Sequence, residues 1–180
     1  MRMTDSEKLI LLMLSEIHQE LNIKNGLDSE LIGSAIRDDN AWAIQFKYGG
    51  VLPFDPEYEL PPVVSEVIDI LDMWSFIERG YKNLTDKEKQ AIAAALPLFG
   101  KNPQFNGFDG NNETEYMSAA GFLINDLKRF GEFSGRELNS HSPSISKHRT
   151  RLEAFKQIRG KLDGRDLNRS ELEKILGSVA

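Results

Sequence analysis

The strongest pattern of apolar and polar positions lies between residues 63 and 79. With about 100° of turn per residue, one apolar face runs the length of this segment, and further apolar residues widen it sideways. Met73 and Phe76 project from the remaining, polar side. The segment is therefore predicted to be a buried central helix, with Pro61 and Pro62 at its start and Gly80 close to its end. Its apolar positions are Val63, Val64, Val67, Ile68, Ile70, Leu71, Trp74 and Ile77.

Four capping boxes predict where other helices begin. In each, a Thr or Asn side chain can accept the backbone N–H of the Glu three residues later, while that carboxylate reaches back to the start of the helix. Apolar residues at helical spacing predict further helices near residues 28–36, 40–48 and 142–158. No pair of segments alternates as two strands would. The predicted fold class is all-α, a single multi-helix, bundle-like domain around the central helix at about 63–79. The boxes are Thr4 with Glu7, Thr85 with Glu88, Asn112 with Glu115, and Asn168 with Glu171.

A connector is predicted at residues 49–60, between the first helices and the central helix. It opens on Gly49 and Gly50, contains Pro53 and Pro56, and has no helical period. Residues 1–180 are predicted to form one all-α domain, and this connector is the best candidate for a subdivision within it.

Charge is distributed unevenly along the 180 residues. The formal net charge is −6, which argues against a protein that coats nucleic acid or an anionic membrane with its whole surface. Residues 141–180, however, carry nine Lys or Arg and five Asp or Glu. This part of the chain is therefore +4, and the first 140 residues carry −10.

Cysteine is absent, so the chain has no disulfide and no thiolate metal ligand, which suits a reducing compartment. The early apolar run at residues 9–14 is too short to span a bilayer, and Asp5 and Glu7 before it are wrong for a secretory signal. A cytoplasmic protein without a membrane segment is expected.

Two acidic segments contain side chains that could carry chemistry. Glu66, Asp69 and Asp72 form an acidic edge on the central helix, where carboxylates could act as acid and base or hold a metal. Ion pairing with Lys or Arg is the alternative for these three. Residues 109–115 place oxygen donors at alternate positions but lack the Gly and the final Glu of a calcium loop, which favours a helix cap. We predict no catalytic residue, no metal site and no cofactor.

The most suggestive functional feature is a basic helix over residues 147–161. Clustered cations on one helix can contact phosphates, whereas a solvated helix face paired with the acidic body is the structural alternative. Leu152, Phe155 and Ile158 are expected to face the core. The candidate phosphate or nucleic-acid contacts are Lys147, Arg149, Arg151, Lys156, Arg159 and Lys161.

Several stretches resemble the YfbU family of bacterial proteins. They are the opening Met3-Thr4-Asp5-Ser6-Glu7-Lys8-Leu9-Ile10-Leu11, the central Val67-Ile68-Asp69-Ile70-Leu71-Asp72-Met73, the Gly107-Phe108-Asp109-Gly110 step into a helix with Glu113, Glu115 and Tyr116, and residues 167–175. Their order and spacing fit over nearly the whole chain. The resemblance implies an all-α bacterial cytosolic protein and supplies no catalytic residue.

Three functional hypotheses follow. The leading one is a non-enzymatic helical binding protein that self-associates, as a homo-oligomer, or binds a protein partner, because many apolar and aromatic residues accompany no catalytic constellation. The alternative is a nucleic-acid-associated regulator that uses the basic helix at 147–161. The third is a hydrolase that uses the carboxylates of the central helix.

Overall fold

The computed structural model describes residues 3–24, 26–51 and 59–179. Within these residues the chain forms eight α-helices and no β-strand, which confirms the all-α class. The helices are α1 (Asp5–Glu20), α2 (Ser29–Arg37), α3 (Trp42–Tyr48), α4 (Pro62–Asn83), α5 (Asp86–Ala95), α6 (Thr114–Gly121), α7 (Ile145–Arg159) and α8 (Arg169–Gly177). A π-helical turn at Phe122–Asp126 follows α6, and a 3₁₀ turn lies at Gly131–Phe133. No helix of the described residues combines the length and the apolar character that spanning a membrane requires.

The described residues pack into two compact units. One comprises the described residues among 1–62 and 121–129, and the other comprises those among 63–120 and 130–180. The division of the chain at the 49–60 connector stays a prediction, and residues 52–58 of that connector lie outside the described residues.

The first unit has its core between α2, α3 and the π-helical turn. Leu31, Ile36 and Ile44 are buried there, and the Trp42 ring meets Phe122 edge-on with 6.0 Å between ring centroids. Helix α1 packs on α2, and Asp28 caps α2 by accepting the Leu31 N–H.

The second unit is built on α4, which confirms the prediction of a buried central helix. Met73 and Trp74 are buried, and Phe76 packs on Phe155 of α7. The helix begins at Pro62 and continues past Gly80 to Asn83, so its end lies three residues beyond Gly80. Gly80 serves close packing, since a Cβ there would lie 3.0 Å from the Cβ and the carbonyl oxygen of Leu167. The buried positions of α4 are Val64, Val67, Ile70, Leu71, Met73, Trp74, Ile77 and Gly80.

Three of the four predicted capping boxes are confirmed, at Thr4, Thr85 and Asn168. The box predicted at Asn112 is wrong, because α6 begins at Thr114 and the Asn112 amide donates to Asp109 instead. Asp109 also accepts the Asn111 N–H. The Asp109 carboxylate thus closes a local turn ahead of α6.

Candidate functional site

The acidic edge of α4 and the basic helix α7 lie against each other. Glu66, Asp69 and Asp72 follow one another at helical steps of three, so they form a single row. Cations on α7 face this row. The nitrogen–oxygen distances are 2.6 Å for Arg149 with Glu66, 2.6 Å for Lys156 with Asp69 and 3.4 Å for Arg159 with Asp72. The two charged faces therefore neutralise each other pair by pair.

The first of these pairs includes a tyrosine. The Tyr116 hydroxyl donates to Glu66 over 2.7 Å and accepts from Arg149 over 2.9 Å. The pKa of Glu66 is lowered, chiefly by the hydrogen bond from Arg149. Partial burial opposes this shift, and the hydrogen bond from Tyr116 adds to it. Burial and the Glu66 carboxylate raise the pKa of Tyr116. At neutral pH the carboxylate is ionised and the phenol keeps its proton, which is the arrangement of a structural ion pair.

The other three predicted cations do not join this row. Arg151 is buried, with 6% of its surface exposed, and it points to the other side of α7. Lys147 and Lys161 are exposed, and neither has a carboxylate partner among the described residues. Arg149, Lys156 and Arg159 of α7 therefore form one row that pairs with the carboxylates of α4. The other three cations, Lys147, Arg151 and Lys161, lie outside this row. That any of the six contacts phosphate stays a prediction.

His148 is buried at the centre of an aromatic cluster. Its Nδ1 accepts the indole N–H of Trp74 over 3.0 Å, and its Nε2–H donates to the Gly107 carbonyl over 3.1 Å. The rings of Phe105 and Phe108 pack on the imidazole. Burial lowers the pKa of His148 to about 4. The ring is therefore neutral at physiological pH, and both nitrogens are used structurally.

An ion pair and hydrogen bonds of Glu78 hold the loop that carries Gly107. Glu78 of α4 forms a bidentate pair with Arg136, with both distances 2.8 Å, and also accepts the Phe105 N–H over 2.8 Å. The pairing with Glu78 raises the pKa of Arg136. Beside these residues lies a surface groove of about 830 Å³ around Tyr81. The groove is cationic, but its arginines are engaged in ion pairs.

Helix α1 presents an apolar surface to solvent. Its buried residue is Ser15, whereas six apolar residues on the far side of the helix are more than half exposed. At 100° per residue these six occupy an arc of about 140° centred opposite Ser15. We call them the α1 apolar face: Leu9, Ile10, Met13, Leu14, Ile17 and Leu21.

Two features of these sites are missed by sequence reasoning. The periodicity of α1 predicts an amphipathic helix but does not distinguish a core face from an exposed one. The sequence around Arg151 does not differ from that around the exposed cations of α7, so its burial cannot be predicted from the sequence. A signal does exist for α1, because Ile10, Leu14, Ile17 and Leu21 follow steps of four and three that are typical of a helix–helix seam.

Comparison with known proteins gives the same family along the whole length. The chain matches the YfbU domain over residues 1–178. A protein of Methanocaldococcus jannaschii, described as UPF0304 protein MJECS11, is 32% identical over 126 residues, which cover 67% of this chain and 70% of that protein. A family match over nearly the whole chain establishes the relationship. The chain belongs to the YfbU family.

Proposed function

We propose that this protein is a non-enzymatic helical binding protein that forms a homodimer by pairing the α1 apolar face with the same face of a second copy. The observation that carries the proposal is the orientation of α1, whose most apolar side faces solvent while Ser15 faces the protein. Keeping six large apolar side chains more than half exposed is unfavourable in water, and a partner surface removes them from it.

The extent of the surface suits a dimer. The six residues of the face are between 52% and 67% exposed. If each gave up about 100 Å² of surface, these six side chains alone would bury about 600 Å² on each subunit, which is most of the roughly 800 Å² that a standard interface buries on each partner.

The spacing of the face supports a second copy as the occupant. Ile10, Leu14, Ile17 and Leu21 repeat at the alternating steps of four and three that two packed helices share. A two-fold axis lets one self-complementary patch serve both subunits, and two-fold dimers are the commonest soluble assemblies. The rest of the chemistry agrees with a binding role, since the carboxylates of α4 are held in ion pairs with α7.

The test is the mass in solution of the wild type and of a Leu14→Glu/Ile17→Glu double variant, measured by light scattering over a concentration series. The wild type is expected to have the mass of two chains. The variant is expected to have the mass of one, because burying unpaired carboxylates weakens association by at least about 100-fold. Both side chains are more than half exposed, so the variant should keep its helical circular dichroism.

Leu98→Glu is the matched control. Leu98 is 86% exposed and lies outside α1, so the same change of an apolar side chain to a carboxylate should leave the dimer intact. A wild type with the mass of one chain, or a double variant that dimerises as the wild type does, contradicts the proposal.

A further inference from the structure

A second, smaller cavity lies beside the aromatic cluster. It has a volume of about 310 Å³, opens to solvent, and is lined by α4, the segment 98–107, the segment 140–144 and the first turns of α7. Trp74, Phe99 and Leu176 form apolar walls. Its lining includes Lys101, Lys147 and Arg151 and contains no Asp or Glu. The cavity therefore has three positive charges and no carboxylate of its own, in a protein whose net charge is −6.

Arg151 is the central feature of this cavity. Its side chain is buried, and its Nε is buried without any hydrogen-bond partner. No carboxylate among the described residues pairs with the guanidinium. Burial without a countercharge lowers the pKa of Arg151, but a guanidinium stays protonated in proteins. A buried cation of this kind is unfavourable unless an anion reaches it.

Aromatic rings stabilise this cation only in part. The Arg151 guanidinium lies 5.5 Å from the centroid of the Trp74 ring and 5.1 Å from that of Phe99. Such contacts attract the cation through the ring faces but accept no N–H hydrogen bond in the plane of the fork. The planar edge of the guanidinium therefore keeps its capacity to bind an oxyanion through two parallel hydrogen bonds.

The neighbouring groups define what else can donate. Lys147 lies one turn before Arg151 on the same side of α7, and Lys101, in the loop after α5, lines the same cavity. The hydroxyl of Ser144 is committed to Glu113 over 2.7 Å, and that of Ser140 to the Ser142 carbonyl over 2.7 Å. His148 is neutral, with both nitrogens engaged. The charged donors are thus the three cations, beside the neutral side-chain amides of Asn102, Gln104 and Asn106 in the lining.

We propose that this cavity binds a phosphoryl group, either as inorganic phosphate or as the phosphate of a small phosphomonoester, with Arg151 as the bidentate anchor and Lys147 and Lys101 supplying the remaining charge. Three cations favour a dianion over a monocarboxylate, and a guanidinium matches two phosphoryl oxygens. The volume lies at the lower end of the range for ligand sites, which suits a phosphate with a few further atoms.

Titration calorimetry of the full-length protein tests this assignment. Inorganic phosphate and glycerol phosphate are the two probes, each titrated against potassium chloride at matched ionic strength. At least one is expected to bind with a dissociation constant of about 1 mM or tighter. Tighter binding of glycerol phosphate identifies a phosphomonoester as the ligand class, and tighter binding of phosphate identifies the free ion. Failure of both probes to bind overturns the proposal.

Three variants complete the experiment. Arg151→Met keeps the size and apolar stem of the side chain and removes the buried charge, so it is expected to fold and to lose at least about 10-fold in affinity. Lys147→Gln, at an exposed position, is expected to weaken binding several-fold. Lys161→Gln is the matched control, because it removes one exposed cation that does not line the cavity. Equal affinities in wild type, Arg151→Met and Lys147→Gln would show that the phosphate binds elsewhere.

Discussion

The indole N–H of Trp74 donates to Nδ1 of His148 over 3.0 Å and so joins the central helix α4 to α7 inside the core. Because this nitrogen accepts, the proton of the neutral imidazole resides on Nε2, where it reaches the Gly107 carbonyl. One side chain thus links two helices and a loop. The arrangement depends on an uncharged imidazole, since a second ring proton would point at the indole donor.

Stability is expected to fall as the pH decreases from about 6.5 to about 4. Burial lowers the pKa of His148 from 6.5 to about 4, so between these values the unfolded chain binds a proton that the folded chain does not. The neutral His148 makes its full contribution to stability above pH 6.5, and this contribution is lost as the pH falls from 6.5 to about 4. A depression of this size corresponds to about 3 kcal/mol in the free energy of unfolding. Urea unfolding at a series of pH values measures it.

His148→Gln separates this contribution from that of the carboxylates. The variant is expected to lose stability at pH 7 and to show a shallower decline between pH 6.5 and 4 than the wild type. His141→Gln is the control, because His141 is exposed and its ring contacts Glu137 at the surface. Parallel pH profiles for wild type and His148→Gln would refute the buried, neutral histidine.

Gly107→Ala is expected to destabilise the protein by about 3 kcal/mol or more. Gly107 has φ of +81°, and a Cβ there would lie 1.9 Å from the carbonyl oxygen of Leu138, so backbone strain and a steric clash add. Gly135 has φ of +77° with no atom near its Cβ position. Gly135→Ala should therefore cost about 1 kcal/mol, from the backbone alone. Similar losses in chemical denaturation of the two variants would contradict the close approach at Leu138.

Leu71→Ala is expected to lower the free energy of unfolding by about 2–5 kcal/mol, because Leu71 is fully buried in α4 and its truncation leaves a cavity. Leu98→Ala removes the same atoms from an exposed side chain and should change stability by less than about 0.5 kcal/mol. Equal effects in thermal or urea unfolding would mean that α4 is not the centre of its unit.

Arg149→Gln is expected to change stability by less than about 1 kcal/mol, although its ion pair with Glu66 is short. The guanidinium is about half exposed, so solvent and salt screen the attraction. A double-mutant cycle with Glu66→Gln measures the coupling. A coupling energy above about 3 kcal/mol would show that the row of pairs between α4 and α7 is a buried network.

The parts of the fold that can be predicted from the sequence are those whose signals are local. The capping boxes at Thr4, Thr85 and Asn168 join residues three positions apart, and the buried face of α4 repeats with a helical period, so both are visible in the chain itself. The packing role of Gly80 is not visible in the sequence, because it depends on Leu167, which is distant in the chain.

The candidate sites, like the role of Gly80, depend on contacts between residues that are distant in the sequence. The sequence leaves two alternatives for the carboxylates of α4, ion pairing or a chemical role. Deciding between them requires the distance between two helices that lie about 80 residues apart in the chain. The exposure of α1 and the burial of Arg151 depend on which face of a helix meets the body. Periodicity predicts that a helix has an apolar or a charged face. Only the packing of the helix shows whether that face meets the core, solvent or a cavity.

The distance between α1 helices of different chains tests the central claim most directly. The chain contains no cysteine, so Glu16→Cys, at the border of the α1 apolar face, accepts a single spin label. Pulsed electron resonance should then give an inter-chain distance below about 30 Å, because two packed helices lie about 10 Å apart and α1 is about 24 Å long. Absence of an inter-chain signal, or a distance beyond about 45 Å, would contradict dimerisation through α1.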